Sequence, residues 1–115
     1  MSYIDGFVVA VPSDKKDAYI EQARKALPIF KECGALRMVE AWGDDVPDGK
    51  LTDFKMAVKA QADETVVFSW IEWPDKAARN EGMRRVMEDP RMTMDGMVFD
   101  GKRMIYGGFA VILDE

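Results

Sequence analysis

The period of the apolar residues changes several times along the chain, and each change marks an element. Residues 3–11 are rich in β-branched and aromatic side chains and stop at Pro12, which reads as a strand. From Asp14 the spacing lengthens to three and four, through Tyr19, Ala23, Ala26, Leu27, Phe30 and Cys33, with Lys15, Lys16, Glu21, Arg24, Lys25 and Lys31 mostly between them. That pattern predicts an amphipathic helix with one face on a core. Ser13 offers an N-cap and Gly34 a left-handed C-terminal cap, while Pro28 predicts a kink or a break one turn before the end. Residues 35–42 and 65–73 return to strand character, the second being the strongest strand pattern in the chain. Between them Phe54, Met56, Val58 and Ala60 alternate with Lys55, Ala57, Lys59 and Gln61, which predicts a ribbon strand turning at residues 62–64. Leu51, Phe54 and Val58 also fit two helical turns. Pro74 and Asp75 open a second helix with an apolar stripe of Ala78, Met83, Val86 and Met87, closed by Pro90. A methionine-rich loop and the turn Asp100-Gly101 then lead to a last strand over residues 103–113, softened by Gly107-Gly108.

The order β-α-β-(β)-β-α-β, with right-handed crossovers, predicts an α+β fold of the ferredoxin-like, split βαβ kind: one domain over residues 1–115, with both helices on one face of an antiparallel sheet. The other face should then be polar, giving strands that alternate. They do not alternate. Phe7, Val9 and Val11 share one face of the first strand while Ile4, Val8 and Ala10 take the other, and in the last strand Ile105, Phe109 and Val111 oppose Met104, Ala110 and Ile112. An uncovered apolar face is an aggregation hazard, and a second copy on a two-fold axis is the commonest cover. The expectation is a sheet-to-sheet homodimer.

Bulk properties narrow the partners. At 115 residues and 48% hydrophobic content, the chain can bury a sufficient core without a disulfide or metal staple. The single cysteine, Cys33, excludes an internal disulfide, and residues 1–11 match neither a signal peptide nor a membrane span, so a cytoplasmic location is the expectation. Charges interrupt every apolar run, so no membrane association is expected. Twenty-one acidic against sixteen basic residues, a net charge of −5, argue against nucleic acid as a partner.

The run Arg37-Met-Val-Glu-Ala-Trp-Gly-Asp-Asp-Val-Pro-Asp-Gly-Lys50 resembles the signature of the YbaA-like family, a domain of unknown function, as does Glu64-Thr-Val-Val-Phe-Ser-Trp-Ile-Glu-Trp-Pro74. Asp89-Pro-Arg-Met92 and Phe99-Asp-Gly-Lys-Arg-Met-Ile-Tyr-Gly-Gly-Phe109 extend the likeness almost end to end. The resemblance implies the dimeric α/β-barrel superfamily, in which two ferredoxin-like protomers join sheet to sheet. It implies no one chemistry, because branches of that superfamily include cofactor-free monooxygenases, haem proteins, lactone isomerases and proteins without known activity.

The chain contains no histidine, which removes a histidine base, a Ser-His-Asp or Cys-His arrangement, a proximal haem histidine and any histidine-based zinc site. Acid-base work would fall to carboxylates, tyrosine or the thiol. Glu40 and Glu72 lie inside apolar strands, where withdrawal from water would raise a carboxyl pKa, and with Tyr106 they are the candidate catalytic residues. If Glu40 pairs near Phe68, Glu72 lies roughly 13 Å away, too far for a paired-carboxylate hydrolase. The plainer use of both is at a strand end or dimer rim, paired with Arg37. Trp42, Trp70, Trp73 and Tyr106 could wall an apolar pocket between sheet and helices, as cofactor-free oxygenases of this architecture do, with an apolar small molecule as ligand. Core and interface packing is the commoner use of such side chains. Arg37 and Arg103, with Lys102, would suit an anion sensor. The turn Asp44-Asp45-Val46-Pro47-Asp48-Gly49 lacks the full spacing of a calcium loop, Cys33 lacks a helix-start environment, and the methionines fit packing better than copper. No metal and no cofactor are expected. The remaining alternative is a non-catalytic structural or interaction module.

Overall fold

The computed structural model describes residues 2–92 and 96–115. Met1, and Met94 of the methionine-rich loop, lie outside the described residues. The elements run β1 (Tyr3–Pro12), α1 (Lys16–Glu32), β2 (Arg37–Trp42), a one-turn α2 (Phe54–Ala57), β3 (Glu64–Trp73), α3 (Lys76–Glu88) and β4 (Ile105–Ala110). The strands form an antiparallel sheet in the order β2-β3-β1-β4, the ferredoxin-like arrangement the pattern predicts.

Helix boundaries follow local chemistry. Asp75 caps α3 by accepting the Ala78 amide at 2.8 Å, and the helix ends at Glu88, before Pro90. At the end of α1, Gly34 has φ +110°; its amide bonds to the Lys31 carbonyl and the Ala35 amide to the Phe30 carbonyl, the two bonds of a Schellman cap. Three expectations change. α1 runs through Pro28 to Glu32 without a break. Ser13 does not cap α1; its hydroxyl pairs with Thr65 at 2.7 Å, and a 3-10 turn, Ser13–Lys15, leads into the helix. Residues 54–61 form no ribbon strand. Asp53 accepts the Met56 amide at 2.6 Å and starts α2, and Lys59 turns the chain with φ +51°, so the helical reading of Phe54 and Val58 prevails over the alternation.

The register assigns each side chain to a face, because directly paired residues point the same way. On the helix side, Ile29, Phe30, Cys33, Ala35, Ile71, Trp73 and Val86 form one apolar cluster, and Val9, Val11, Tyr19 and Val67 another. On the opposite side, the excursion between β2 and β3 folds back over one end of the sheet. Val58, fully buried, plugs against Val8, Ala10 and Val66. The rest of that face is bare. Phe68, Ile105 and Phe109 are 45%, 45% and 59% exposed, although all three sit in strands. The last strand stops at Ala110, short of the expected residue 113. It pairs along β1 only from Val8 to Tyr3, and beyond that a single bond, Val111 amide to Ser2 carbonyl, continues the ladder.

Candidate functional site

Between the two helix-side clusters a row of directly paired residues crosses the sheet: Glu40 on β2, Ser69 on β3, Phe7 on β1 and Tyr106 on β4. Ser69 is buried, a polar group in an otherwise apolar stretch. Glu40 is held by α1, since the Tyr19 hydroxyl donates to its Oε1 at 2.6 Å, and Ser69 is its direct cross-strand neighbour on the same face. Burial pushes the Glu40 carboxyl above its ordinary value, against the lowering effect of the two hydroxyl donors. Burial, with the Glu40 charge beside it, pushes the Tyr19 phenol strongly up, so it stays protonated and acts only as a donor. Among the described residues Glu40 makes no ion pair. Trp42, two residues on, packs beside Tyr19 with the Lys16 ammonium 5.8 Å from its ring centre. Tyr106 stacks on Phe7 with ring centres 6.3 Å apart, at the far end of the row. Three strand spacings put it roughly 14 Å from Glu40. The arrangement can accept a proton or a hydrogen bond at Glu40, with Tyr19 and Ser69 orienting the carboxylate.

A second polar group lies deeper. Asp5, 3% exposed, accepts from Trp73 Nε1 at 3.0 Å and from Arg79 Nη2 at 2.8 Å and Nε at 3.0 Å, while Arg79 also stacks on Tyr3 at 5.2 Å. Gly108, paired with Asp5, leaves the room this needs: a Cβ there would come within 2.6 Å of Arg79 Nη2. Trp73 is therefore a core residue with its one donor satisfied, not a pocket wall. Every acceptor of Asp5 is in use, which marks the group as structural.

The other candidates fall elsewhere. Glu72, Trp70 and Arg37 share the bare face, opposite to Glu40, with Trp70 Nε1 donating to Glu72 Oε2 at 3.0 Å and Arg37 3.7 Å from the same oxygen. Glu40 pairs with Ser69, one residue from the position expected, and the two carboxylates are separated by the sheet itself. A single pocket walled by Trp42, Trp70, Trp73 and Tyr106 is thus not assembled, because Trp70 points away from the other three. Arg103 grips Glu64 with two bonds, at 2.7 and 2.8 Å, and also bonds the Lys59 carbonyl and Asp100. It holds the Glu64 carboxyl down to about 2. Arg37 lies eight positions along β3 from that pair, roughly 26 Å away, so the two arginines cannot share an anion. In the acidic turn, Asp48 accepts from Lys55 at 3.0 Å.

Tyr19, Ser69, Asp5 and Arg79 escaped the sequence reading. Tyr19 counts there as one more member of an apolar stripe. The available signals were the lone acid at position 5 and the serine at 69, each inside a run of strand-forming residues.

Comparison with known proteins agrees with this architecture. Residues 2–101 match the family model described as a protein of unknown function, DUF1428. The uncharacterized protein YbaA of Escherichia coli (strain K12) is 66% identical over 117 residues, covering 100% of both chains, and that of Shigella flexneri is equally similar. A crystal structure of a dimeric ferredoxin-like protein from an uncultured marine organism superposes with a TM-score of 0.62 over 100% of both chains at 12% identity, a likeness of fold alone.

Proposed function

The chain belongs to the DUF1428 family, whose function is unassigned, and from that premise we propose that it works as a homodimer that closes over the bare sheet face and binds a small molecule on the helix side of each sheet, at Glu40. The observation that carries the dimer is surface area. A compact monomer of 13.0 kDa exposes about 6,300 Å². This protomer exposes 7865 Å². The excess of about 1,500 Å² per protomer, about 3,000 Å² for two, falls within the range of obligate dimer interfaces. The radius of gyration, 14.7 Å, likewise exceeds the roughly 13 Å of a compact chain this long. The dimeric state of the marine ferredoxin-like protein supports the same reading.

Glu40 supports the binding half. Glu40 is an exposed residue whose Oε1 is held by Tyr19, and a neutral glutamine would serve Tyr19 equally well as an acceptor, so its charge calls for a purpose beyond packing. With no histidine in the chain, it is the group placed to accept a proton from a weakly acidic ligand without a cofactor. Native mass spectrometry of protein purified from its own host tests both halves. A dimer with retained extra mass, lost in Glu40→Gln, is the expected result. A monomer overturns the dimer. Extra mass that persists in Glu40→Gln, or none in either protein under conditions that preserve the dimer, leaves a non-catalytic module as the better description.

A further inference from the structure

The bare face is shaped, and its shape distinguishes one way of closing it from others. Gly6 and Gly107 are directly paired on this face and form a low floor. Around the floor stand Val8, Phe68, Trp70, Ile105 and Phe109, enclosing a trough of about 390 Å³ that is open on one side. Glycines in paired strands weaken a sheet and commonly mark close approach by another group. The Phe109 ring leans over both floor glycines, 3.4 Å from where a Gly6 Cβ would be and 3.6 Å from a Gly107 Cβ.

Beside the trough rises a lip. In this topology β2 and β3 are neighbours and need only a short hairpin, yet residues 43–63 leave the sheet between them and return over its bare face. Val58 anchors the excursion. Its outer side carries Leu51, Phe54 and Met56, which are 99%, 49% and 45% exposed. Phe54 meets Phe68 edge-on at 6.1 Å, and Phe68 meets Trp70 at 5.9 Å, so lip and trough form one continuous apolar surface. A lone exposed leucine needs no explanation, but three large apolar residues within six positions, joined to an open apolar trough, do.

We propose that the lip of each protomer, centred on Leu51 and Phe54, seats in the glycine-floored trough of a second copy of this chain. A raised apolar edge beside an apolar hollow of its own is self-complementary under a two-fold axis, since the lip of each copy faces the trough of the other. The excess exposed area matches a large interface, and residues already 45% to 99% exposed in the protomer are those such an interface would bury. This inference rests on the homodimer proposed above and names which parts of the face meet.

The test uses one substitution at a side chain open to solvent and one whose added methyl groups meet the Phe109 ring, 3.6 Å from a Gly107 Cβ. Leu51→Asp changes a side chain that is 99% exposed. Gly107→Val fills the floor with a residue that suits a strand. Each is compared with wild type by analytical ultracentrifugation across a concentration series, with circular dichroism to verify the fold. The expected result is a dimeric wild type and, in both variants, a dimer dissociation constant raised by about tenfold or more, the loss typical of a central interface residue. A monomeric wild type overturns the homodimer itself. A dimeric wild type with both variants unchanged overturns only the lip-in-trough contact and places the interface on another part of the face. Loss of dimer in Gly107→Val alone refutes the lip and points to a different side chain in the trough. Loss in Leu51→Asp alone refutes the trough as its seat.

Discussion

Removing Asp5 should be among the most damaging single changes available in this fold, although it alters only one small side chain. Asp5→Ala leaves Trp73 Nε1 without an acceptor inside a residue that is 0% exposed, and leaves Arg79, whose side chain is 25% exposed, without its counter-charge. An orphaned buried donor costs about 1–3 kcal/mol. Breaking a buried ion pair by deleting one partner costs about 3–5 kcal/mol. The two penalties overlap because both describe the loss of one carboxylate, so about 3–5 kcal/mol is the expected total. At about 4 °C per kcal/mol for a chain of this length, the midpoint of thermal unfolding should fall by about 12–20 °C. Urea unfolding followed by circular dichroism measures the loss, at one fixed protein concentration, since the proposed dimerisation would contribute to apparent stability. The companion variants are Arg79→Met and the double variant Asp5→Ala/Arg79→Met, which should cost about 1–3 kcal/mol less than the sum of the singles because neither charge is then left alone. A cost for Asp5→Ala below about 1 kcal/mol, or additivity to within about 0.5 kcal/mol, would refute the description of Asp5 as the shared acceptor of Trp73 and Arg79.

Three further outcomes follow from the same packing. Gly82→Ala drives a methyl group into the Trp73 ring and to 2.6 Å from the Cys33 carbonyl oxygen, so thermal unfolding should show a loss of about 1–3 kcal/mol or more; an unchanged midpoint would mean that α3 sits farther from Trp73. Because Arg103 holds Glu64 at about 2, below its ordinary 4.5, the stability that pair contributes is present above pH 4.5 and is lost as pH falls through about 2; Glu64→Gln should flatten the acid limb of a stability-pH profile and leave its neutral limb in shape. Glu40 has the opposite sign: its raised folded value means stability declines as pH climbs from 4.5 through that value, because the native state still holds a proton the unfolded chain has released. Glu40→Gln should abolish that slope and leave the protein at least as stable at pH 7, whereas a marked destabilisation would show the carboxylate to be structural.

The order of elements was legible because it depends on local chemistry. The β-branched and aromatic runs of β1 and β3, the three-and-four spacing that carries α1 from Tyr19 to Phe30, the Asp75 cap and the Gly34 stop each act within a turn or two of chain. Apolar residues on both faces of β1 and β4 likewise announced a sheet that one layer of helices could not cover. Residues 54–61 fit both a ribbon strand and two helical turns because both spacings are short; the Asp53 cap is local, but the burial of Val58 against Val8 and Ala10 depends on a strand far away in sequence.

The candidate site was legible only in part, for the same physical reason. Sequence marked Glu40 and Glu72 as acids out of place but could not assign their faces, since a one-residue change of register turns every side chain over. Pairing Glu40 with Ser69 put it under α1 beside Tyr19, and pairing Glu72 with Arg37 and Ile4 put it on the bare face. Asp5 and Arg79 are 74 positions apart, and no local pattern connects them. Periodicity by itself determined which segments are helix or strand and that an apolar sheet face would be left over. Tertiary structure alone decided which polar side chains meet, because that depends on register and on the packing of α1 and α3, where residues distant in the chain come within hydrogen-bonding reach.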